Sequence, residues 1–243
     1  MSRLHRPKAG FWIRLWVALL YPIDSLLFRI RWRDLDRVPA PDEGGVIIAV
    51  NHVSPVDTIL MARAVWQSGR VPRFMIKAGV FSWPIVGRMM RGSGQIPVYR
   101  GTADATQSLR EAVTALERGE AVVIYPEGTT TKDPAGWPMQ AKTGIARLVL
   151  LAPDIPVVPM GQWGAHQMGG FSLRRLGRRR VSQLSVGQPL DLSRHRGKEG
   201  SQTTLREITD EIMSAVRDEV AALRGEPAPS EFFKPTRSYV DKR

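Results

Sequence analysis

The sequence predicts one α/β domain with a central, mostly buried mixed sheet flanked by helices, plus an N-terminal interfacial helical segment. Three observations carry that expectation. From residue 46 onward, short apolar runs alternate with stretches of helical period, the pattern of strands covered by helices. Clusters of Gly, Pro and Asp separate the two kinds of segment, as turns require. The first residues combine Trp and Arg in an apolar stretch too short to span a bilayer.

That stretch comes first in the chain. Phe11-Trp12-Ile13-Arg14-Leu15-Trp16-Val17-Ala18-Leu19-Leu20-Tyr21 is interrupted by Pro22, and Asp24, Arg29, Arg31 and Arg33 follow. A spanning helix needs roughly 20 uninterrupted apolar residues. No small-residue cleavage site follows to mark a signal peptide. Residues 1–37 therefore read as one or two short helices lying in a membrane interface. Trp12, Trp16, Leu19, Leu20, Leu26, Leu27 and Phe28 would face acyl chains while Arg and Lys meet phosphates. The competing reading is a helix packed on the protein's own core.

Val38-Pro39-Ala40-Pro41-Asp42-Glu43-Gly44-Gly45 is a loop by its turn residues. Strands are expected at Val46–Val50, Arg73–Ile76, Gln95–Tyr99, Ala121–Tyr125, Pro156–Gly161 and Val181–Val186. Helices are expected at Thr58–Gln67, Ile85–Met90, Ala103–Arg118, Thr143–Leu151 and Thr203–Leu223. The α/β domain then covers residues 38–224, and residues 225–243 form an extended basic tail.

Composition narrows the function. The 243 residues suffice for one sizeable core. Cysteine is absent, which excludes a disulfide framework, a thiol nucleophile and a Cys-based metal site. With four histidines and no H-x-x-x-H or H-E-x-x-H spacing, no zinc site is expected. A net charge of +12 points to an anionic partner: nucleic acid, an anionic membrane or a phosphorylated substrate.

Asn51-His52-Val53-Ser54-Pro55-Val56-Asp57 is the most informative stretch. It places a histidine and a carboxylate in one short loop after the apolar run Val46–Val50. Asp57 can fix the imidazole tautomer and stabilise the imidazolium that forms when the other ring nitrogen takes a proton. The alternative is a loop histidine whose aspartate merely caps the next helix. Ser54 is rejected as a covalent nucleophile, because its position two residues past His52 suits a turn-stabilising hydroxyl.

Three further blocks follow in order: Gly94-Gln95-Ile96-Pro97-Val98-Tyr99-Arg100, then Val122-Val123-Ile124-Tyr125-Pro126-Glu127-Gly128-Thr129-Thr130, then Ile155-Pro156-Val157-Val158-Pro159-Met160. Together the four resemble the ordered blocks of the glycerolipid acyltransferases, the family of 1-acylglycerol-3-phosphate (lysophosphatidate) and glycerol-3-phosphate acyltransferases. The resemblance runs from about Val46 to Gly161. It implies transfer of a fatty acyl chain from acyl-CoA or acyl-carrier protein to lysophosphatidate or glycerol 3-phosphate. His52 would be the general base and Asp57 its orienter.

It also implies that Arg100 and Lys77 bind the acceptor phosphate and that Glu127 helps hold the acceptor. Gly128 and the Thr129 hydroxyl lie in the same loop, with the Gly128 N–H a candidate oxyanion donor. Lys142 precedes a helix start, where backbone N–H groups favour an anion. The chain departs from the family at position 130, where Thr stands in place of Arg. Lys132 or Lys142 would then supply the charge, or the acceptor head group differs. Another lysolipid or glycolipid acceptor is thus the alternative, and a non-enzymatic membrane adaptor the more distant one.

No cofactor or metal is expected. The expected partners are anionic membrane lipids, the thioester donor and the acceptor, with a peripheral or monotopic placement on the cytoplasmic face of a membrane. Arg174-Arg175-Leu176-Gly177-Arg178-Arg179-Arg180 could meet lipid or coenzyme A phosphates, or be a solvated loop. It lacks the aromatic company of a nucleic-acid site, so no nucleic acid is expected. His166 has no nearby carboxylate, and His5 and His195 sit in basic, exposed-looking surroundings.

Overall fold

Both faces of the run Val46–Val50 are covered, which is why it is apolar at every position. In the computed structural model, which describes residues 10–99, 105–165 and 179–235, this run is β2. The strands are β1 (Phe28–Arg33), β2 (Val46–Val50), β3 (Pro72–Lys77), β4 (Ile96–Val98), β5 (Ala121–Ile124), β6 (Val157–Trp163) and β7 (Arg180–Val186). They form one seven-stranded sheet in the order β1-β7-β6-β2-β5-β3-β4. Neighbours run parallel, except that β6 and β7 are antiparallel. A buried parallel centre needs helices on both sides.

The helices are α1 (Phe11–Leu27), α2 (Asp57–Gln67), α3 (Pro84–Gly92), α4 (Ala105–Glu117), α5 (Gly144–Leu151) and α6 (Gln202–Arg224). Side chains alternate along β2. Ile47 and Ala49 pack with Leu116 of α4, Ile145 and Leu148 of α5, and Leu205, Ile208 and Ile212 of α6. Val46, Ile48 and Val50 pack with Met61, Ala64 and Val65 of α2 and Phe74 of β3. Helix α6 is set by its ends: Ser201 caps it by accepting the Thr204 N–H at 3.1 Å, and Gly225 closes it at φ +67.

Three expectations are corrected. First, residues 28–37 do not belong to an interfacial segment. Phe28-Arg29-Ile30-Arg31-Trp32-Arg33 is strand β1, paired in parallel with β7. Phe28 is 3% exposed, so it faces the core and no acyl chain; Leu27 packs against the same cluster.

Second, Pro22 does not break the N-terminal helix, and α1 runs through it. Proline costs a helix one N–H and crowds the carbonyl four residues back. Here that residue is Ala18, on the exposed face, where its carbonyl can turn to water. Helix α1 also lies on the protein. Trp16 and Leu20 line a cavity of about 240 Å³ shared with α2, β3 and α3, and Trp12 packs over Gly92. Of the seven side chains expected to meet lipid, Leu19 and Leu26 are the two fully on the open face, alongside Phe11.

Third, the tail is no free extension over residues 225–235. Phe233 forms a parallel bridge to Met139, and its carbonyl accepts the Gln140 N–H at 2.9 Å. Arg224 lies over the rings of Trp137 and Trp163 at 4.0 and 4.2 Å. The tail thus braces the loop that follows β5. Among the described residues, no helix is long and apolar enough to cross a membrane.

Candidate active site

The site is built where β2 and β5 end. Beyond Val50 the chain leaves the sheet, held by an amide pair. The Asn51 Oδ1 accepts the Gln162 N–H at 2.8 Å, and Asn51 Nδ2 donates to the Gln162 carbonyl at 3.0 Å. This fixes the direction in which the next residue, His52, departs. Five positions further, Asp57 opens α2, fully buried.

One carboxylate oxygen, Asp57 Oδ2, gathers the loop around itself. It accepts the N–H groups of Val53 and Ser54, both at 2.6 Å, and stands 3.2 Å from His52 Nδ1. A carboxylate oxygen accepts, so Nδ1 carries the proton of this contact and Nε2 keeps its lone pair. The His52 side chain is 17% exposed. Its ring stacks on Tyr125 with centroids 4.3 Å apart, and Tyr125 stacks in turn on Phe74 at 6.4 Å. Burial, and then the Asp57 carboxylate, push the Tyr125 hydroxyl well above its ordinary value, so it stays neutral beside the imidazole. Ser54 is buried and its Oγ accepts the Val56 N–H at 3.4 Å, a turn role as expected.

Glu127 does something the sequence did not suggest. Its two oxygens accept backbone N–H groups, from His52 at 2.9 Å and Met139 at 3.0 Å, and the residue is 2% exposed. Both carboxyl oxygens are thus taken by backbone donors, in place of the expected acceptor contact, and tie the histidine loop to the loop after β5. Thr131 adds a second tie, donating its N–H to the His52 carbonyl at 2.6 Å. Gly128 is likewise corrected as an oxyanion donor, because its N–H goes to the Tyr125 carbonyl at 2.9 Å and its φ of +73 serves a tight turn.

Burial pushes the Glu127 carboxyl up to about 8, although its two amide partners pull the other way. A proton-binding preference of the folded state stabilises fully below the unfolded value near 4.5 and is lost as pH rises through about 8. Urea unfolding of the native chain should therefore weaken steadily from about pH 5 to about pH 8. Glu127→Gln, a neutral isostere, should flatten that slope, and an unaltered slope would remove Glu127 as its source.

The cations are arranged around this core. Lys77 ends β3 and is exposed. Phe74 pairs with Val123, so three residues on, Lys77 is level with Pro126. Lys142 is exposed, and its N–H donates to the Pro126 carbonyl at 3.0 Å. Thr129 is exposed on the same loop. Arg100, His166 and residues 174–178 of the basic run lie outside the described residues. His195 is not exposed: it is 3% accessible and its Nε2 sits 3.1 Å from Glu211 Oε2. Leu190, five residues earlier, donates its N–H to the Val157 carbonyl at the start of β6, level with the start of the parallel neighbour β2, whereas His52 follows the far end of β2. Among the described residues no group of three or more His, Cys, Asp or Glu could hold a metal ion.

The apolar cavity adjoins the dyad. Thr58, which follows Asp57, lines it, as do Phe74 and Ile76. Its wall carries one ion pair: Arg63 Nη1 donates to both oxygens of the buried Asp24 at 3.2 Å and lies over the Tyr21 ring at 4.2 Å. Burial raises the Asp24 carboxyl despite Arg63.

Asn51, Tyr125 and Gln162 are the supporting residues that sequence reasoning missed. The available signals were an amide before the histidine, an aromatic beside Pro126, and one polar residue in an otherwise apolar strand.

A buried carboxylate thus stands beside an imidazole at a strand end, next to an apolar cavity and exposed lysines. The chain belongs to the acyltransferase family, whose model, described as Acyltransferase, matches residues 29–163. It is 27% identical over 164 residues to the chloroplastic 1-acyl-sn-glycerol-3-phosphate acyltransferase LPAT1 of Arabidopsis thaliana, covering 63% of this chain and 44% of that protein. It is 35% identical over 95 residues to the 1-acyl-sn-glycerol-3-phosphate acyltransferase of Neisseria gonorrhoeae, covering 38% and 35%. The chain thus spans less than half the length of these two relatives. It is 29% identical over 213 residues to the lyso-ornithine lipid O-acyltransferase of Rhizobium meliloti, covering 76% and 71%. The fold is similar to that of the 1-acyl-sn-glycerophosphate acyltransferase PlsC from Thermotoga maritima, with a TM-score of 0.59 at 21% identity over 89% of this chain and 84% of that one.

Proposed function

We propose that this chain is an O-acyltransferase that moves a fatty acyl group from a thioester, acyl-CoA or acyl-carrier protein, to the free hydroxyl of lysophosphatidate, with glycerol 3-phosphate the smaller candidate acceptor. The observation that carries the reading is the His52–Asp57 contact, with its three donors converging on Asp57 Oδ2. A free hydroxyl is a poor nucleophile until its proton is taken during attack. His52 Nε2 takes that proton, and the alcohol oxygen bonds to the thioester carbonyl carbon. As the intermediate collapses, the carbon–sulfur bond breaks. The imidazolium returns the proton to the departing thiolate, so ester and thiol leave with histidine restored. Asp57 steadies the transient positive charge. The step balances without a metal or prosthetic group.

The rest of the site serves binding. The acyl chain occupies the apolar cavity between α1, α2 and β3. Lys77 and Lys142, with Arg100, hold the acceptor phosphate, since cations of that kind pair with phosphate oxygens. Glu127, Asn51 and Gln162 act as positioning residues. The enzyme works at a membrane surface, where such an acceptor resides.

A second reading has its own observation. Thr130 stands where the family block carries Arg, and the Rhizobium meliloti relative, which this chain matches over most of both lengths, is named for a lyso-ornithine lipid. The test offers purified protein an acyl-CoA or an acyl-carrier-protein thioester with lysophosphatidate, glycerol 3-phosphate or lyso-ornithine lipid, and identifies products by mass spectrometry. Phosphatidate as the main product is the expected result. Preference for the phosphate-free acceptor would move the assignment to the second reading, and no product with any acceptor would overturn both.

A further inference from the structure

The turn between β3 and α3 carries an apolar surface that the chemistry above does not use. Phe81 is buried and anchors this turn. Two and four residues on, Trp83 is 57% and Ile85 76% exposed, with the exposed Pro84 between them. The tip is held firmly. Arg91 donates to the Phe81 carbonyl, Gly87 donates to the Trp83 carbonyl at 2.8 Å, and a Cβ at Gly87 would fall 2.0 Å from the Phe81 oxygen. A rigid tip that presents an indole and a branched aliphatic chain to water is costly unless something covers it.

We infer that Trp83 and Ile85 form a bilayer-inserting element beside α1, whose partner is an anionic phospholipid surface. Charge selects that partner. Arg88 lies one turn beyond Ile85 on the same helix face and is exposed, as is Arg14 of α1. Trp with Arg around it suits the depth where acyl chains meet phosphates. A second copy of this chain would bring Arg88 against its own like charge. Continuity with α1 points the same way. A Cβ at Gly92, the last residue of α3, would fall 2.3 Å from the Trp12 indole. Phe11, in edge contact with Trp12 at 5.5 Å, carries the apolar surface onto α1. The same two helices wall the cavity, through Trp16 and Met90. An acyl chain could then pass from bilayer to cavity between this tip and α1, a consequence that rests on the acyl reading of that cavity.

The experiment is co-sedimentation of the full chain with sucrose-loaded vesicles of phosphatidylcholine, with and without phosphatidylglycerol, and with no acyl donor or acceptor present. Trp83→Ala combined with Ile85→Ser should lower partitioning at least about tenfold, whereas Trp83→Phe should keep most of it. Arg88→Glu should weaken binding on the anionic vesicles alone. Leu151→Ser, an exposed apolar position at the end of α5, should change nothing. If the double variant does not fold, Ile85→Ser alone carries the test, with a loss of about threefold. Unchanged partitioning in the folded variants would overturn the inference. So would a variant that binds vesicles normally but passes from dimer to monomer in light scattering. Because no acyl transfer is needed, a failed acyltransferase assay would leave this result standing.

Discussion

His52→Ala is expected to abolish acyl transfer, lowering kcat by about 10⁴-fold, the upper end of what a positioned general base contributes. The fold should survive, because the two contacts that tie His52 to the loop after β5 belong to its backbone. Its N–H is held by Glu127 and its carbonyl by Thr131. Asp57 would still receive the Val53 and Ser54 N–H groups, so the loop keeps its shape. What goes is the ring, with its contact to Asp57 and its stack on Tyr125, the stack worth about 1 kcal/mol. Thiol release under steady state, read beside a thermal melt, separates the two effects. A folded variant retaining more than about a tenth of native kcat would place the base elsewhere.

That this residue was visible in the sequence has a physical reason. His52 and Asp57 lie five residues apart, and a strand end, a proline and a helix start fix the stretch between them locally. The buried strands were visible for a similar reason: a strand covered on both faces must be apolar throughout, and Val46–Val50 ends where its pattern ends. Contacts between distant segments were not visible. Glu127 meets a backbone group 75 residues away, and nothing in its own neighbourhood announces that partner. Strand β1 was readable but misread. Its alternation of Phe28, Ile30 and Trp32 with three arginines has the period of a strand, yet arginines after an apolar run also suit a lipid interface. The two faces of α1 were beyond reach because both the cavity and the solvent side carry apolar residues, so composition does not tell Trp16 from Leu19. His195 shows the converse, a residue among basic neighbours in the chain that Glu211, on a later helix, draws into the interior.

Asp57→Asn is expected to lower kcat by about 10²- to 10⁴-fold while leaving KM within a few-fold, because a fully buried group orients the base and touches no substrate. The amide has two ways to sit, and both fail. With its oxygen toward the loop, it still accepts the Val53 and Ser54 N–H groups and His52 Nδ1–H, but it lacks the charge that steadies the imidazolium. Its NH2 then occupies the place of Asp57 Oδ1, a buried atom with no hydrogen-bond partner among the described residues. That strands donors at about 1–3 kcal/mol. With its nitrogen toward the loop, donors face the two backbone N–H groups, and the imidazole must turn its acceptor nitrogen to Asn, exposing the wrong tautomer to the hydroxyl. Asp57→Ala would go further and orphan every donor that Oδ2 now collects, so it should lose stability together with activity. The asparagine variant is thus the discriminating one. Folded, binding acceptor normally and slow, it would identify Asp57 as the orienter. Folded and within a few-fold of native kcat, it would mean that the imidazole needs no steering, and the base mechanism would lose its second residue.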